Sequence, residues 1–147
     1  MLKGIHPLLH ADLLHALAAM GHGDELAIVD ANFPAARVGR RVIQSPTPTS
    51  AATLEAVLTV FPVDDVVRPA AVTMKVIGDV AKVPEPVHEF AALLESHMPL
   101  AAMGSVERAA FYERARNAFV IVRTAEMRGY GNLILVKGVV TEYSERA

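Results

Sequence analysis

Leu26-Ala27-Ile28-Val29, led in by Gly21-His22-Gly23-Asp24-Glu25 and closed by Asp30, is the stretch from which the fold can be read. A continuous apolar run of this length does not alternate, so it reads as a strand covered on both faces, the pattern of a parallel sheet. Just upstream, Leu13, Leu14, Leu17 and Met20 recur at the helical period. They predict a helix over Ala11–Met20 with Gly21 as its stop. Helix, tight turn and buried strand therefore follow one another directly.

The same reading extends outward. Ser50 is placed to cap a helix in which Leu54, Val57, Leu58 and Phe61 share a face before Pro62 ends it. A strand is expected over Val72–Ile77. A helix is expected over Pro86–Ser96, with Val87, Phe90, Leu93 and Leu94 apolar and Glu85 and Glu89 suited to its positive end. Another helix is expected over Val106–Arg116 with Ser105 as its cap. Phe119–Val122 and Leu133–Val136 read as buried strands, joined by a loop that carries Tyr130-Gly131-Asn132. Helices alternating with apolar strands predict an α/β fold, a three-layer αβα sandwich around a mostly parallel sheet. The linker-like stretch Ser45-Pro46-Thr47-Pro48-Thr49-Ser50 is too short to separate two domains, so residues 1–147 read as one domain. In such sheets ligands gather beyond the strand ends, which singles out the loops at Asp30 and Tyr130.

Composition narrows the chemistry. The chain has 147 residues and no cysteine, which excludes a disulfide framework, an iron–sulfur cluster and a thiol nucleophile. Fourteen Lys and Arg against sixteen Asp and Glu give a net charge of −2, no footprint for nucleic acid or anionic lipid. Hydrophobic residues make up 52% and charged residues only 20%, and mean hydropathy is +0.33, so apolar surface has to be covered somewhere. Charges or prolines interrupt every apolar run before the roughly 20 residues that a membrane span needs. His6, Pro7, His10, Asp12 and His15 break the N-terminal stretch, so a secretory signal is not expected. A cytoplasmic protein whose surplus apolar surface is buried between identical subunits is the expectation.

Candidate chemical groups are few. His22 stands between two glycines, accessible, and an imidazole exchanges protons near neutrality; read on its own, the same histidine is more simply a solvent-facing turn residue. Asp30 emerges where a strand ends, able to accept sugar hydroxyls or simply to satisfy turn N–H groups. Arg108, Phe111, Tyr112, Glu113 and Arg114 share one predicted helix, and Tyr130 with Asn132 offers an aromatic face beside amide donors and acceptors. Phe111 reads equally as core, and Glu113 with Arg116 as a solvated pair. His6, His10 and His15 crowd the N-terminus without a metal-binding signature, and no metal is expected. The chain has no phosphate-cradling glycine loop and no nucleophile elbow, so nicotinamide, ATP and acyl-enzyme chemistry find no foothold.

At MLKGIHPLL, MGHGDELAIVDANFPA, RAAFYERARNAFVIVRTAE and YGNLILVKGV the chain resembles the L-fucose mutarotase family, close relatives of D-ribose pyranase, in order and spacing over nearly its whole length. The resemblance implies an α/β fold assembled as a ring-shaped homo-oligomer, a decamer, with no cofactor, a monosaccharide as substrate and sites at subunit boundaries. It implies proton transfer at His22, with Tyr130 as the second candidate, and substrate contacts at Asp30, Arg108, Tyr130, Gly131 and Asn132. The FYER stretch and the YGN triplet favour fucose mutarotase over ribose pyranase. Departures fall in residues 37–50 and in the tail, residues 141–147.

The expected reaction asks little of a protein. Opening a hemiacetal removes one proton from the anomeric hydroxyl and delivers one to the ring oxygen, and reclosure after rotation gives the other anomer. Positioned acid–base groups accelerate such steps by about 10² to 10⁴. The alternatives are pyranose–furanose interconversion of D-ribose and a monosaccharide-binding protein without catalysis.

Overall fold

Successive residues of β1 (Glu25–Val29) point into two different cores. Leu26 and Ile28 join the core beneath α1 (Ala11–Ala19), α3 (Ser50–Leu58) and α4 (Glu85–His97). Ala27 and Val29 join the core beneath α2 (Ala35–Val38) and α5 (Arg108–Asn117). This period of two on a strand without polar residues is what the apolar run at 26–29 requires: both faces of the sheet are covered. The computed structural model describes residues 1–143, so residues 144–147 of the divergent tail lie outside the described residues.

One six-stranded sheet carries β1, β2 (Val42–Gln44), β3 (Ala71–Met74), β4 (Met103–Val106), β5 (Val120–Arg123) and β6 (Leu133–Val136) in the order β2-β5-β1-β6-β3-β4. The pairs β2/β5, β5/β1 and β3/β4 are parallel. Strand β6 lies between β1 and β3 and is antiparallel to both, with Leu26 opposite Leu135 and Val72 opposite Ile134. The sheet is mostly parallel as the sequence predicts, and β6 is the strand that runs the other way. Its start therefore meets the end of β1, and its end meets the start of β1.

Boundaries differ from expectation where tertiary pairing outweighs local signals. Thr49, not Ser50, caps α3: its hydroxyl accepts the N–H of Ala52 at 3.1 Å, and Ser50 becomes the first helical residue. Ser105 caps nothing, because it lies in β4 opposite Thr73, and α5 begins only at Arg108. The expected strand over 72–77 stops at Met74. The short elements β2, α2 and β4 carry no periodic pattern long enough to be read from sequence. The stretch at 45–50 is no linker: Ser45, Thr47 and Ser50 are buried, and the Ser45 N–H bonds Arg123 O at 2.8 Å while Thr47 O takes Ala125 N–H at 2.9 Å.

Phe111 is fully buried and meets Phe33 edge-on, with ring centroids 6.1 Å apart. It reads as core and not as a cavity wall. Truncating such a ring removes its transfer free energy and leaves a void. Phe111→Ala is expected to cost about 3 to 5 kcal/mol, read as a lowered denaturant midpoint at fixed protein concentration. A shift below 1 kcal/mol would mean that the α5 face collapses to fill the hole.

Candidate functional site

Three parallel-running segments, β1, β3 and β4, finish at the same edge of the sheet where β6 begins. Asp30, Asn32, Phe33, Met74, Ile77, Arg108, Tyr112, Tyr130 and Asn132 line a cavity of about 190 Å³ there. Sequence reading named Asp30, Arg108, Tyr130 and Asn132, and the fold brings all of these together. Gly131 lies between the last pair as a backbone spacer. A Cβ on it would stand 2.7 Å from the Glu126 side chain and 3.2 Å from Ser50 Oγ, so no larger residue fits without displacing the loop.

The Asp30 backbone N–H donates to Asn132 Oδ1 at 2.9 Å, which locks the end of β1 to the start of β6. Asp30 Oδ1 accepts the N–H groups of Asn32 and Phe33, both at 2.9 Å, and so closes the turn. Burial pushes the Asp30 carboxyl above the usual carboxylate range. The N–H donors of Asn32 and Phe33 and the Asn132 side chain pull the other way, and the charge of Glu126 adds to the rise. The turn reading holds, since Asp30 Oδ1 takes both turn N–H groups, and the same residue lines the cavity.

Tyr130 adopts φ 61°, a left-handed conformation that side chains rarely occupy. Its phenol oxygen accepts the Ile77 N–H at 3.1 Å, which leaves the phenol's own proton free to be donated. Phe33 stacks on Tyr112 with centroids 5.0 Å apart, and the Arg108 guanidinium lies 5.3 Å from the Tyr112 ring centroid. A ladder of aromatic rings rising from the core therefore carries the cation at the cavity wall. Sequence reading missed Met74 and Ile77, because their relevance depends on which strand pairs with β6. Tyr112 was legible as the residue one turn after Arg108.

His22 lies elsewhere. The turn 21–24 is at the opposite end of β1, about 20 Å from Asp30 along a strand that rises about 3.3 Å per residue. Gly21 N–H bonds Asp24 Oδ2 at 2.7 Å, Gly23 N–H bonds Lys137 O at 2.9 Å, and Gly23 has φ 87°, which favours glycine. The imidazole is 58% exposed, and its Nε2 is 3.5 Å from Asp64 Oδ1, on a side chain only 4% exposed. The Val67 N–H chiefly, with His22 adding, holds the Asp64 carboxyl below its ordinary value. Asp64 is therefore a charged orienter for the ring. The hollow beside His22 is bordered by Leu14, Val60, Pro62, Val139 and Val140. Within one chain His22 and the Asp30 cavity do not meet.

Larger hollows of about 510 and 540 Å³ flank Arg41 and Phe119. Of the charges around them, Arg114 pairs with Glu25 at 2.9 Å and Arg41 lies over the Phe119 ring. The smaller cavity holds the convergent polar groups and is the candidate site. Among the described residues no helix is long and apolar enough to cross a membrane.

Residues 3–140 match the family described as the RbsD / FucU transport protein family. A protein of Glaesserella parasuis serovar 5 (strain SH0165), named L-fucose mutarotase, is 43% identical over 140 residues, covering 95% of this chain and 96% of that one. The crystal structure of the fucose mutarotase in complex with L-fucose from Streptococcus pneumoniae is 35% identical with a TM-score of 0.88, covering 95% of this chain and 100% of that one. The structure of Bacillus subtilis RbsD complexed with D-ribose shares the fold at a TM-score of 0.70 and 24% identity, covering 95% and 99% of the two chains.

The raised carboxyl of Asp30 has a consequence for stability with a definite sign. The folded chain holds this proton to higher pH than the unfolded chain, so folding loses stability as pH rises from the unfolded value through the raised folded one. The stability of wild type relative to Asp30→Asn is expected to fall across that interval from acid to neutral pH, measured by paired denaturant titrations. A difference that grows with pH would mean that the turn N–H groups outweigh burial.

Proposed function

The chain belongs to the RbsD / FucU family, and on that footing we propose that it is an L-fucose mutarotase, an isomerase that interconverts the α and β anomers of the sugar. The relation at 43% identity over 95% of the chain carries this reading. The cavity supports it with the groups the chemistry needs: a carboxyl and a phenol able to exchange protons, a guanidinium and an amide to fix hydroxyls, and apolar walls from Phe33, Met74 and Ile77. Phe33 lines the cavity and offers the sugar methyl an apolar wall, whereas Phe111 is fully buried in the core.

In this scheme a base takes the proton of the anomeric hydroxyl while an acid protonates the ring oxygen. The bond from C1 to the ring oxygen breaks, C1 becomes a carbonyl, and rotation about the C1–C2 bond followed by the reverse transfers gives the other anomer. Tyr130, whose phenol proton is free, serves as one of these groups. Asn132 and Arg108 bind ring hydroxyls, Asp30 holds one more, and Gly131 lets the loop approach the ring closely. The other proton transfer belongs to His22 of the partner subunit, since the chain's own imidazole faces away at the far end of β1.

A shared site requires an assembly, and exposed apolar residues supply surface for one. Val66 is 78% exposed and Val140 is 71% exposed, with Val67, Val139 and Met127 also outside the core. We read the assembly as a ring-shaped homo-oligomer, a decamer, working in the cytoplasm without a cofactor. The FYER helix supports L-fucose over D-ribose, and the likeness to the ribose-bound structure reaches the fold alone.

Exchange NMR on L-fucose with sub-stoichiometric protein is expected to show anomer exchange above the buffer rate, with D-ribose slower. His22→Ala is expected to lose about 10² or more of the acceleration. Mixing dissociated and reassembled His22→Ala with Asp30→Asn chains should restore activity at roughly a quarter of the sites, because some boundaries then combine an intact half from each variant. No gain on mixing would overturn the assignment of His22 to a site shared between subunits, and buffer-rate exchange by wild type would overturn the mutarotase reading. Light scattering is expected to give a mass several-fold above the 15.8 kDa chain, and a 15.8 kDa particle at micromolar concentration would remove the shared site altogether.

A further inference from the structure

Behind the Tyr130 loop stands a charged bridge built from residues that do not line the cavity. Glu126 is 1% exposed, a buried carboxylate in the connection between β5 and β6. Such a group persists only where its oxygens are fully matched. Its Oε1 accepts the backbone N–H of Arg128 at 3.0 Å and Arg128 Nε at 2.9 Å, and its Oε2 accepts Arg128 Nη2 at 2.9 Å and the Ser50 N–H at 3.1 Å. The far side of the same guanidinium grips Glu89 of α4, through Nη1 at 2.7 Å and Nη2 at 2.8 Å, with Glu85 at 3.4 Å. One arginine thus forks onto a carboxylate on each side, a geometry lysine cannot reproduce.

This bridge has a direct line to both halves of the candidate site. The Glu126 carbonyl takes the Ala31 N–H at 2.8 Å, next to Asp30. Ser50, whose N–H is held by Glu126, sends its hydroxyl to Gly131 O at 2.6 Å, between Tyr130 and Asn132. The Glu126 side chain also fills the space that a side chain at 131 would take. Tyr130 at φ 61° does not stay in that conformation by local preference, so something outside it has to hold it.

We propose that Arg128 and Glu126, anchored by Glu89, are positioning residues for sugar turnover: the bridge sets the Tyr130–Gly131–Asn132 loop against Asp30. This rests on the reading of the cavity as the sugar site, and it adds residues that do not touch the sugar. A loop displaced by about an ångström loses alignment between proton donor and ring oxygen, and rate falls by far more than stability would predict.

The test measures L-fucose anomer exchange, KM and kcat, together with thermal melting, for wild type, Arg128→Met, Arg128→Lys and Glu89→Gln. The core variant Leu94→Ala serves as a stability-matched control in α4, away from the cavity. Arg128→Met is expected to lower kcat/KM about tenfold or more in folded protein, with KM raised, and Arg128→Lys to restore it only in part. Leu94→Ala is expected to melt earlier yet keep its kcat/KM per folded chain. Arg128→Met leaves a buried carboxylate unmatched; if it fails to fold, Arg128→Lys and Glu89→Gln carry the test with a smaller loss in the same direction. Folded Arg128 and Glu89 variants with wild-type kcat/KM, or losses no greater than that of Leu94→Ala, would overturn the proposal. Backbone amide shifts of Tyr130 and Asn132, recorded without sugar, keep the two readings apart. Wild type that leaves L-fucose at the buffer rate refutes the sugar reading, while unmoved loop amides in the Arg128 variants refute the positioning.

Discussion

Strand β6 runs against its neighbours, and the site follows from that single reversal. Because β6 is antiparallel to both β1 and β3, its first residues arrive where those strands end. Asn132 then stands directly before the ladder and accepts the Asp30 N–H, so that hydrogen bond joins two segments 102 positions apart in sequence. In an all-parallel arrangement the start of β6 would lie at the other edge, and Tyr130 would never face Asp30. The same reversal sends Lys137 to the opposite edge, where its ammonium binds the carbonyls of Leu17 at 2.8 Å and Met20 at 2.6 Å and closes the end of α1.

The two edges of the sheet are stabilised by different means. At the Asp30 edge, polar groups are buried and each is matched: Asp30 by turn N–H groups, Glu126 by Arg128 and Ser50, Ser50 by Gly131. A buried carboxylate left unmatched costs several kcal/mol, so this edge tolerates little change and holds its side chains in one arrangement. At the His22 edge the turn is held mostly by backbone bonds, and the imidazole projects outward beside Asp64. One edge therefore carries a small cavity lined by matched polar groups, and the other an exposed imidazole; on the proposed reading the first holds the sugar and the second serves a neighbouring subunit. Ring opening of a sugar suits this division, since it needs a few positioned proton carriers and no reactive cofactor.

How much was legible in the sequence varies by residue. The run at 26–29 disclosed a strand covered on both faces, and the apolar runs at 119–122 and 133–136 disclosed two more, because full burial on both faces demands unbroken hydrophobicity. Asp30, Arg108, Tyr130 and Asn132 stood out as polar groups at the ends of such elements. Ser50 and Ser105 misled as caps, since a hydroxyl before a helical pattern is a local signal and the pairing of Ser105 with Thr73 is not local. Glu126 and Arg128 gave no signal, as charges two residues apart on a loop read as solvated unless the third partner, Glu89, is known to lie across from them.

By itself the sequence determined the longer elements, the apolar surplus and the residue types able to exchange protons, because each follows from side-chain chemistry and short-range period. Only the tertiary structure decided which of those residues share a cavity, since that depends on strand order and direction, which are fixed by how the two cores fill on either side of the sheet. It gathered Asp30, Arg108, Tyr130 and Asn132 around about 190 Å³. It also set His22 at the far end of β1, because a residue before a strand and a residue after it are separated by the strand's own length.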